Sequence, residues 1–140
     1  MKKPNVLIID AQGGGLGKQI IAGIRKEELD VHITAVGTNS SATAAMLKAG
    51  ANEAATGENP VVVAVRNADV IIGPVGVVIA DAMIGEITPK IAVSVAQANA
   101  LRILIPFNSC DNYIAGVGEY SLGRLVDDAL QRLKKHLTEE

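Results

Sequence analysis

The chain has 140 residues, of which 49% are hydrophobic, 20% charged and only 2% aromatic. That length suits one domain over 1–140, with an aliphatic core of Val, Ile, Leu and Ala. A net charge of −2, no basic stripe and only two Tyr and one Phe argue against a nucleic-acid partner, and the single cysteine, Cys110, excludes an internal disulfide and any multi-cysteine zinc site.

Lys2 and Lys3 precede a short apolar run that stops at Asp10, which reads as a strand over 5–10 and not as a signal peptide. No stretch is long enough to span a membrane, so the expected location is the cytoplasm. Gly13, Gly14, Gly15 and Gly17 follow, and Leu16, Ile20, Ile21 and Ile24 recur at helical spacing, which predicts a helix over 15–28. A second strand is predicted over 31–36, ending at Gly37, Thr38 and Asn39. Ser40 and Ser41 suit the cap of a helix running through Ala45 and Met46 to Ala49, with Gly50 as its stop. A short third strand is expected over 53–55.

Over 60–68 two readings compete. Val61, Val62 and Val63 have strand propensity. Asn59 followed by Pro60 makes a cap and first turn, however, and Val61, Ala64, Val65 and Ala68 share one helical face, so a helix is predicted. Val70, Ile71 and Ile72 form a buried strand stopped by Gly73 and Pro74. Two helical pieces over 77–83 and 89–98 break at Gly85, with Thr88 and Pro89 restarting the second. A fifth strand over 102–107 leads to an amphipathic closing helix that places Leu122, Leu125, Val126, Ala129, Leu130 and Leu133 on one face.

This alternation predicts a parallel sheet with helices on both faces. Right-handed crossovers make it a doubly wound, five-stranded α/β sheet of order 3-2-1-4-5 in three layers, α/β/α. Ligands of such sheets bind outside the carboxyl ends of the strands. All five ends here are glycine-rich or polar: Asp10 to Gly17; Gly37, Thr38 and Asn39; Thr56, Gly57, Glu58 and Asn59; Gly73, Pro74 and Gly76; and Asn108, Ser109, Cys110, Asp111 and Asn112.

A strand that ends in glycines and opens into a helix collects backbone N–H groups at a helix N-terminus, a setting for phosphate. The magnesium-dependent phosphate loop does not fit, because Gln12 stands where its first Gly is needed and Gln19 follows Lys18. The G-x-G-x-x-G spelling meets Gly13 and Gly15 but finds Lys18 in its third place. The G-x-x-x-G-x-G spacing of short-chain dehydrogenases fits better, over Ala11, Gly15, Leu16 and Gly17 with only the first Gly replaced. That family's catalytic Tyr with Lys four residues on is missing, since Tyr113 leads to Val117 and Tyr120 to Arg124. The resemblance covers a nucleotide-binding half only.

At the end of the second strand, Thr38 and Asn39 replace the usual acid that binds the ribose diol of NAD. Neutral donors there suit a phosphate, which tilts the reading toward NADP; a plain helix cap explains them equally well. The expected nucleotide contacts are Asp10, Gln12, Gly13, Gly14, Gly15, Leu16, Gly17, Lys18, Thr38, Asn39, Thr56, Glu58, Asn59, Gly73, Pro74, Gly76 and Asn108. Glu58, Asp81 and Cys110 are the groups an enzyme would use, each with a simpler structural role available. Asp81 and Glu86 lie in or after an apolar helix, where Asp81 reads more simply as one polar position. His32 and His136 read as structural or solvent-facing, and no cluster has metal-ligand spacing. The stretch 75–98 is too apolar for one sheet to cover, which predicts a homodimer interface.

The whole chain resembles a family of small bacterial proteins known as domain of unknown function 3842. The resemblance is carried by Val6 to Lys18 with Asp10, Ala11, Gln12, Gly13, Gly14 and Gly15, and by Gly37, Thr38 and Asn39. It continues through Ala55, Thr56, Gly57, Glu58 and Asn59, then Ile71, Ile72, Gly73 and Pro74, then Gly85, Glu86, Ile87, Thr88 and Pro89. Position 11 is usually Gly in that pattern, so Ala11 is a mild departure. The resemblance implies a Rossmann-like fold and no established activity. The residues leave three functions open: a nucleotide-binding protein using NAD or NADP, a non-catalytic ligand sensor, and an enzyme acting on a small phosphorylated or carboxylated metabolite.

Overall fold

Alternate residues of a strand face opposite sides of its sheet. In β1 (Asn5–Asp10) both sides are apolar, and Val6, Leu7, Ile8 and Ile9 are all buried, as a central parallel strand requires. The computed structural model describes residues 2–107 and 111–139. It pairs β1 in parallel with β2 (His32–Gly37) on one side and β4 (Val70–Pro74) on the other. β3 (Glu53–Thr56) and β5 (Leu101–Ile105) complete a parallel, Rossmann-like sheet of order β3-β2-β1-β4-β5.

Each face carries its own core. Val6, Ile8, Ile33, Ala35, Ile72 and Ile103 pack against α1 (Gly15–Lys26), α2 (Ser40–Ala49) and α5 (Leu122–Thr138). Leu7, Ile9, Val36 and Ile71 pack against α3 (Glu58–Ala64), α4 (Pro89–Gln97) and the connection that follows β4. Leu16, Ile20, Ile21 and Ile24 form the buried stripe of α1, and Val126, Ala129, Leu130 and Leu133 that of α5. No helix of the described residues is long and apolar enough to cross a membrane.

Most elements fall within one or two residues of their predicted bounds. The 60–68 segment is helical, as α3 and a 3-10 turn over Val65–Asn67, with Val61 and Ala68 buried. The helix starts earlier than predicted, because Gly57 occupies the cap position and Asn59 lies inside.

The helix predicted over 77–83 is absent. A 3-10 turn over Val75–Val78 gives way to a compact loop in which Asp81, Met83, Ile84 and Gly85 all have positive φ. The loop closes on itself through Asp81 N–H to Ile87 O (2.7 Å) and Ile87 N–H to Ala82 O (3.2 Å). Its apolar residues are nonetheless used: Val77, Met83 and Ile87 are buried against the second face of the sheet. Their apolar character is satisfied by burial without a helix, because the chain turns through positive φ. Asp81 is therefore an exposed turn residue and not a polar position on a helix.

The turn between β1 and α1 depends on two different glycines. Gly14 has φ 77°, and a Cβ there would lie 2.8 Å from Ala42 Cα, so α1 and α2 approach through bare backbone. Gly15 has ordinary φ and open space around it. Gly14→Ala is thus expected to cost about 2 kcal/mol or more, from left-handed strain plus a backbone clash. Gly15→Ala should stay within about 0.5 kcal/mol of the unaltered chain or gain slightly. Denaturant unfolding checks the pair; equal stability of the two variants contradicts this account of the turn.

Candidate functional site

Asp10 ends β1 beneath the glycine turn and is the one buried charged side chain of the described residues. Its Oδ1 accepts from the Ala11 amide at 2.8 Å and its Oδ2 from the Gly17 amide at 2.7 Å. Burial pushes this carboxyl above its ordinary value; the bonds from Gly17 and Ala11 oppose that, and the nearby charge of Glu86 adds to it. Asp10 therefore fills the inner side of the α1 N-terminus, where the sequence expected ligand phosphate. Gly17 is buried with it, since a Cβ there would meet Met46 Sδ and Asp10 Cβ.

The outer side of the same N-terminus is different. The Gly14 amide is spent on Ala11 O, and the Lys18 amide on Gly14 O. The amides of Gly13 and Gly15 donate to nothing among the described residues, and open space lies in front of both Cα atoms. They border a crevice of about 180 Å³ between the glycine turn, Pro74, Met83, Phe107 and Leu122. Asp10, Gln12, Gly14 and Leu16 line it as well.

A second cluster stands beside this crevice, at the carboxyl end of β2. Glu86 reaches in from the loop after β4, and its Oε1 accepts three hydrogen bonds. The Gln12 amide donates at 2.9 Å, the Thr38 hydroxyl at 2.6 Å and the Asn39 amide nitrogen at 2.9 Å. Asn39 Nδ2 also donates to Gln12 O, and its Oδ1 caps α2 by accepting from the Ala42 amide. Desolvation pushes the Glu86 carboxyl up, but the bonds from Thr38, Gln12 and Asn39 outweigh it and hold the group below its ordinary value. The donors read as free for a phosphate are thus engaged by a carboxylate 47 and 48 residues away along the chain.

The remaining expected contacts do not join the crevice. Thr56 pairs its hydroxyl with Thr43, and Glu58 accepts from Thr88 at 2.6 Å. Asn59 lines a separate open groove of about 1470 Å³ on the side of the sheet, floored by His32, Thr34 and Glu53. That groove is larger, yet it gathers none of the glycine turn. Gly73 is there for packing, since a Cβ would sit 2.6 Å from Ile9 O, and Gly76 faces Met83. Lys18 is exposed on α1. Asn108 and Cys110 lie outside the described residues. His32 pairs with Glu53 at 2.9 Å, and no group of three or more His, Cys, Asp or Glu among the described residues could hold a metal.

The stretch 75–98 spends most of its apolar surface inside the chain, with Val77, Met83, Ile87, Ile91 and Val95 buried. Its large apolar side chains left exposed are Ile84 and Val93.

A carboxylate held below its unfolded value contributes stability that is complete above that value and is lost as the pH falls through the folded one. The Glu86 contact should therefore be intact at neutral pH and release only below the ordinary value of 4.5. The Gln12 amide proton, followed by NMR over about pH 3 to 5, is expected to titrate with Glu86 and to lose that titration in Glu86→Gln. A Gln12 amide indifferent to pH in the unaltered chain contradicts the contact.

No curated protein matches the chain. Among solved structures, a dodecameric FMN-dependent Ubix-like decarboxylase from Escherichia coli O157:H7 is similar at 17% identity and a TM-score of 0.43, with 92% of this chain and 76% of that one covered. A family model described as domain of unknown function (DUF3842) matches residues 5–138, and the chain belongs to that family.

Proposed function

We propose that the chain binds a nucleotide, NAD or NADP in the first place, at the carboxyl edge of its sheet. The observation that carries this reading is the pair of amides, Gly13 and Gly15, that donate to nothing among the described residues, at the N-terminus of the twelve-residue helix α1 and on the rim of a crevice. Two aligned N–H groups at the positive end of a helix attract a phosphate without a cationic side chain. The crevice, at about 180 Å³, is smaller than the few hundred Å³ typical of whole-ligand pockets. It suits one part of a nucleotide, with the remainder lying along the open edge of the sheet.

One observation favours a sensor over an enzyme as the use of such binding. Among the described residues Asp10 is the titratable side chain lining the crevice, and both its oxygens are occupied by backbone amides. The Glu86 loop, attached across the strand ends by three hydrogen bonds, is the part through which such binding would be felt.

Calorimetry with ADP, NAD and NADP tests the reading. Binding is expected, and Gly13→Asp should abolish it without lowering thermal stability, because a side chain at Gly13 meets nothing within 4 Å and a negative charge at the helix N-terminus repels phosphate while suiting the helix dipole. No binding at millimolar nucleotide refutes the proposal.

Self-association through the 75–98 stretch belongs to the same proposal in a narrower form, with Ile84 and Val93 at the contact. Size-exclusion chromatography with light scattering should give a dimer that Ile84→Glu converts to a monomer. A monomeric unaltered chain removes this part.

A further inference from the structure

The carboxyl end of β2 carries no acidic side chain in sequence, yet the fold delivers one to it. Glu86 is held there through a single oxygen: Oε1 takes all three donors, and Oε2 accepts no hydrogen bond among the described residues. The donors around it are exhausted. Thr38 spends its hydroxyl proton on Oε1, Asn39 donates its side-chain nitrogen to Oε1 and to Gln12 O, and Asn39 Oδ1 is taken by Ala42. What the β2 end presents to a ligand is therefore an ionised acceptor and not a set of neutral donors.

Resting on the nucleotide reading above, we propose that Glu86 recognises the ribose, with Oε2 accepting from the vicinal 2′- and 3′-hydroxyls. The position fits the chemistry. Oε1 is bonded to the Gln12 amide, and the next residue, Gly13, offers one of the two free amides, so ribose acceptor and phosphate donors are neighbours on one turn. A diol adds bonds to the free oxygen and leaves the three existing ones in place. A phosphate at this spot would have to expel Glu86, forfeit three hydrogen bonds to a charged oxygen and then stand beside the displaced carboxylate. The nucleotide selected is one with an unmodified ribose, NAD over NADP. This reverses the preference that Thr38 and Asn39 suggest when they are read without Glu86.

The ligand series that tests this is ADP, 2′,3′-dideoxy-ADP and adenosine 2′,5′-bisphosphate, measured by calorimetry on the unaltered chain. The dideoxy analogue should bind at least about tenfold more weakly than ADP, the loss of one hydrogen bond to a charged acceptor. The 2′-phosphorylated compound should bind more weakly than ADP as well, and Glu86→Gln should narrow that second gap. Equal binding of ADP and its dideoxy analogue overturns the ribose role and leaves the nucleotide reading standing. Tighter binding of every nucleotide to Glu86→Gln identifies Glu86 as a plug and also overturns it. Failure of ADP itself to bind at millimolar concentration overturns both readings together. The comparison of analogues needs no variant, so poor folding of Glu86→Gln leaves the test intact.

Discussion

The Asp10 carboxylate, buried between the end of β1 and the start of α1, is the constraint on which the candidate site rests. Its two oxygens hold the Ala11 and Gly17 amides and so fix the path of the five residues between them. Burying a carboxylate is costly, and lost hydration pushes its titration upward against the bonds from the Gly17 and Ala11 amides. Because its folded value lies above the ordinary 3.8, Asp10 takes stability away as the pH rises from there toward neutrality. The geometry it enforces has a chemical consequence. By occupying the inner face of the helix N-terminus it turns the remaining free amides, Gly13 and Gly15, outward to the crevice.

Close packing around this brace explains why the turn is so rich in glycine. Gly14 lets α1 and α2 touch through backbone, and Gly17 admits Met46 against Asp10. Gly73 brings β4 against the Ile9 carbonyl, which fixes the floor between the two central strands. These glycines serve contact between elements. Gly13 and Gly15 are distinguished by having nothing in front of them. A glycine cluster is thus two sets of residues with different duties, and only the second combines open space with amides that donate to nothing among the described residues.

Sheet order and element positions were legible because strand and helix alternate and because apolar positions such as Ile20, Ile21 and Ile24 keep a helical period. The loop after β4 was not. Val77, Met83 and Ile87 are as apolar as a helix face, but the chain buries them by turning through positive φ at Asp81, Met83 and Ile84. No local residue preference announces left-handed backbone at Met or Ile. Around the site, the glycine turn and the polar ends of β1 and β2 were recognised, while their use was misjudged in one respect. Thr38 and Asn39 looked like free donors because the group that consumes them is remote in sequence, and hydrophobic periodicity carries no information about a side-chain contact at that separation. Glu58 and Thr56 looked ligand-facing for the converse reason, since their partners Thr88 and Thr43 come from other elements.

The origin of Glu86 matters as much as its position. In a sheet of this order the acid expected at the end of β2 is part of that strand's own turn, rigid whether or not ligand is present. Here the carboxylate comes from the connection after β4, on the far side of β1, and its three donors come from the β1 turn and the β2 end. The proposed recognition at β2 would thereby be tied to the placement of the loop that follows β4. A ligand that adds hydrogen bonds to Glu86 in this position favours the same arrangement of 79–88 that the three donors favour, and by linkage anything that displaces the loop weakens that ligand. The exposed Ile84 sits at the tip of this loop, two residues from Glu86. The acceptor proposed to read a ribose and the fully exposed Ile84 thus share one loop, which Glu86 Oε1 ties to the strand ends and the buried Met83 and Ile87 tie to the sheet.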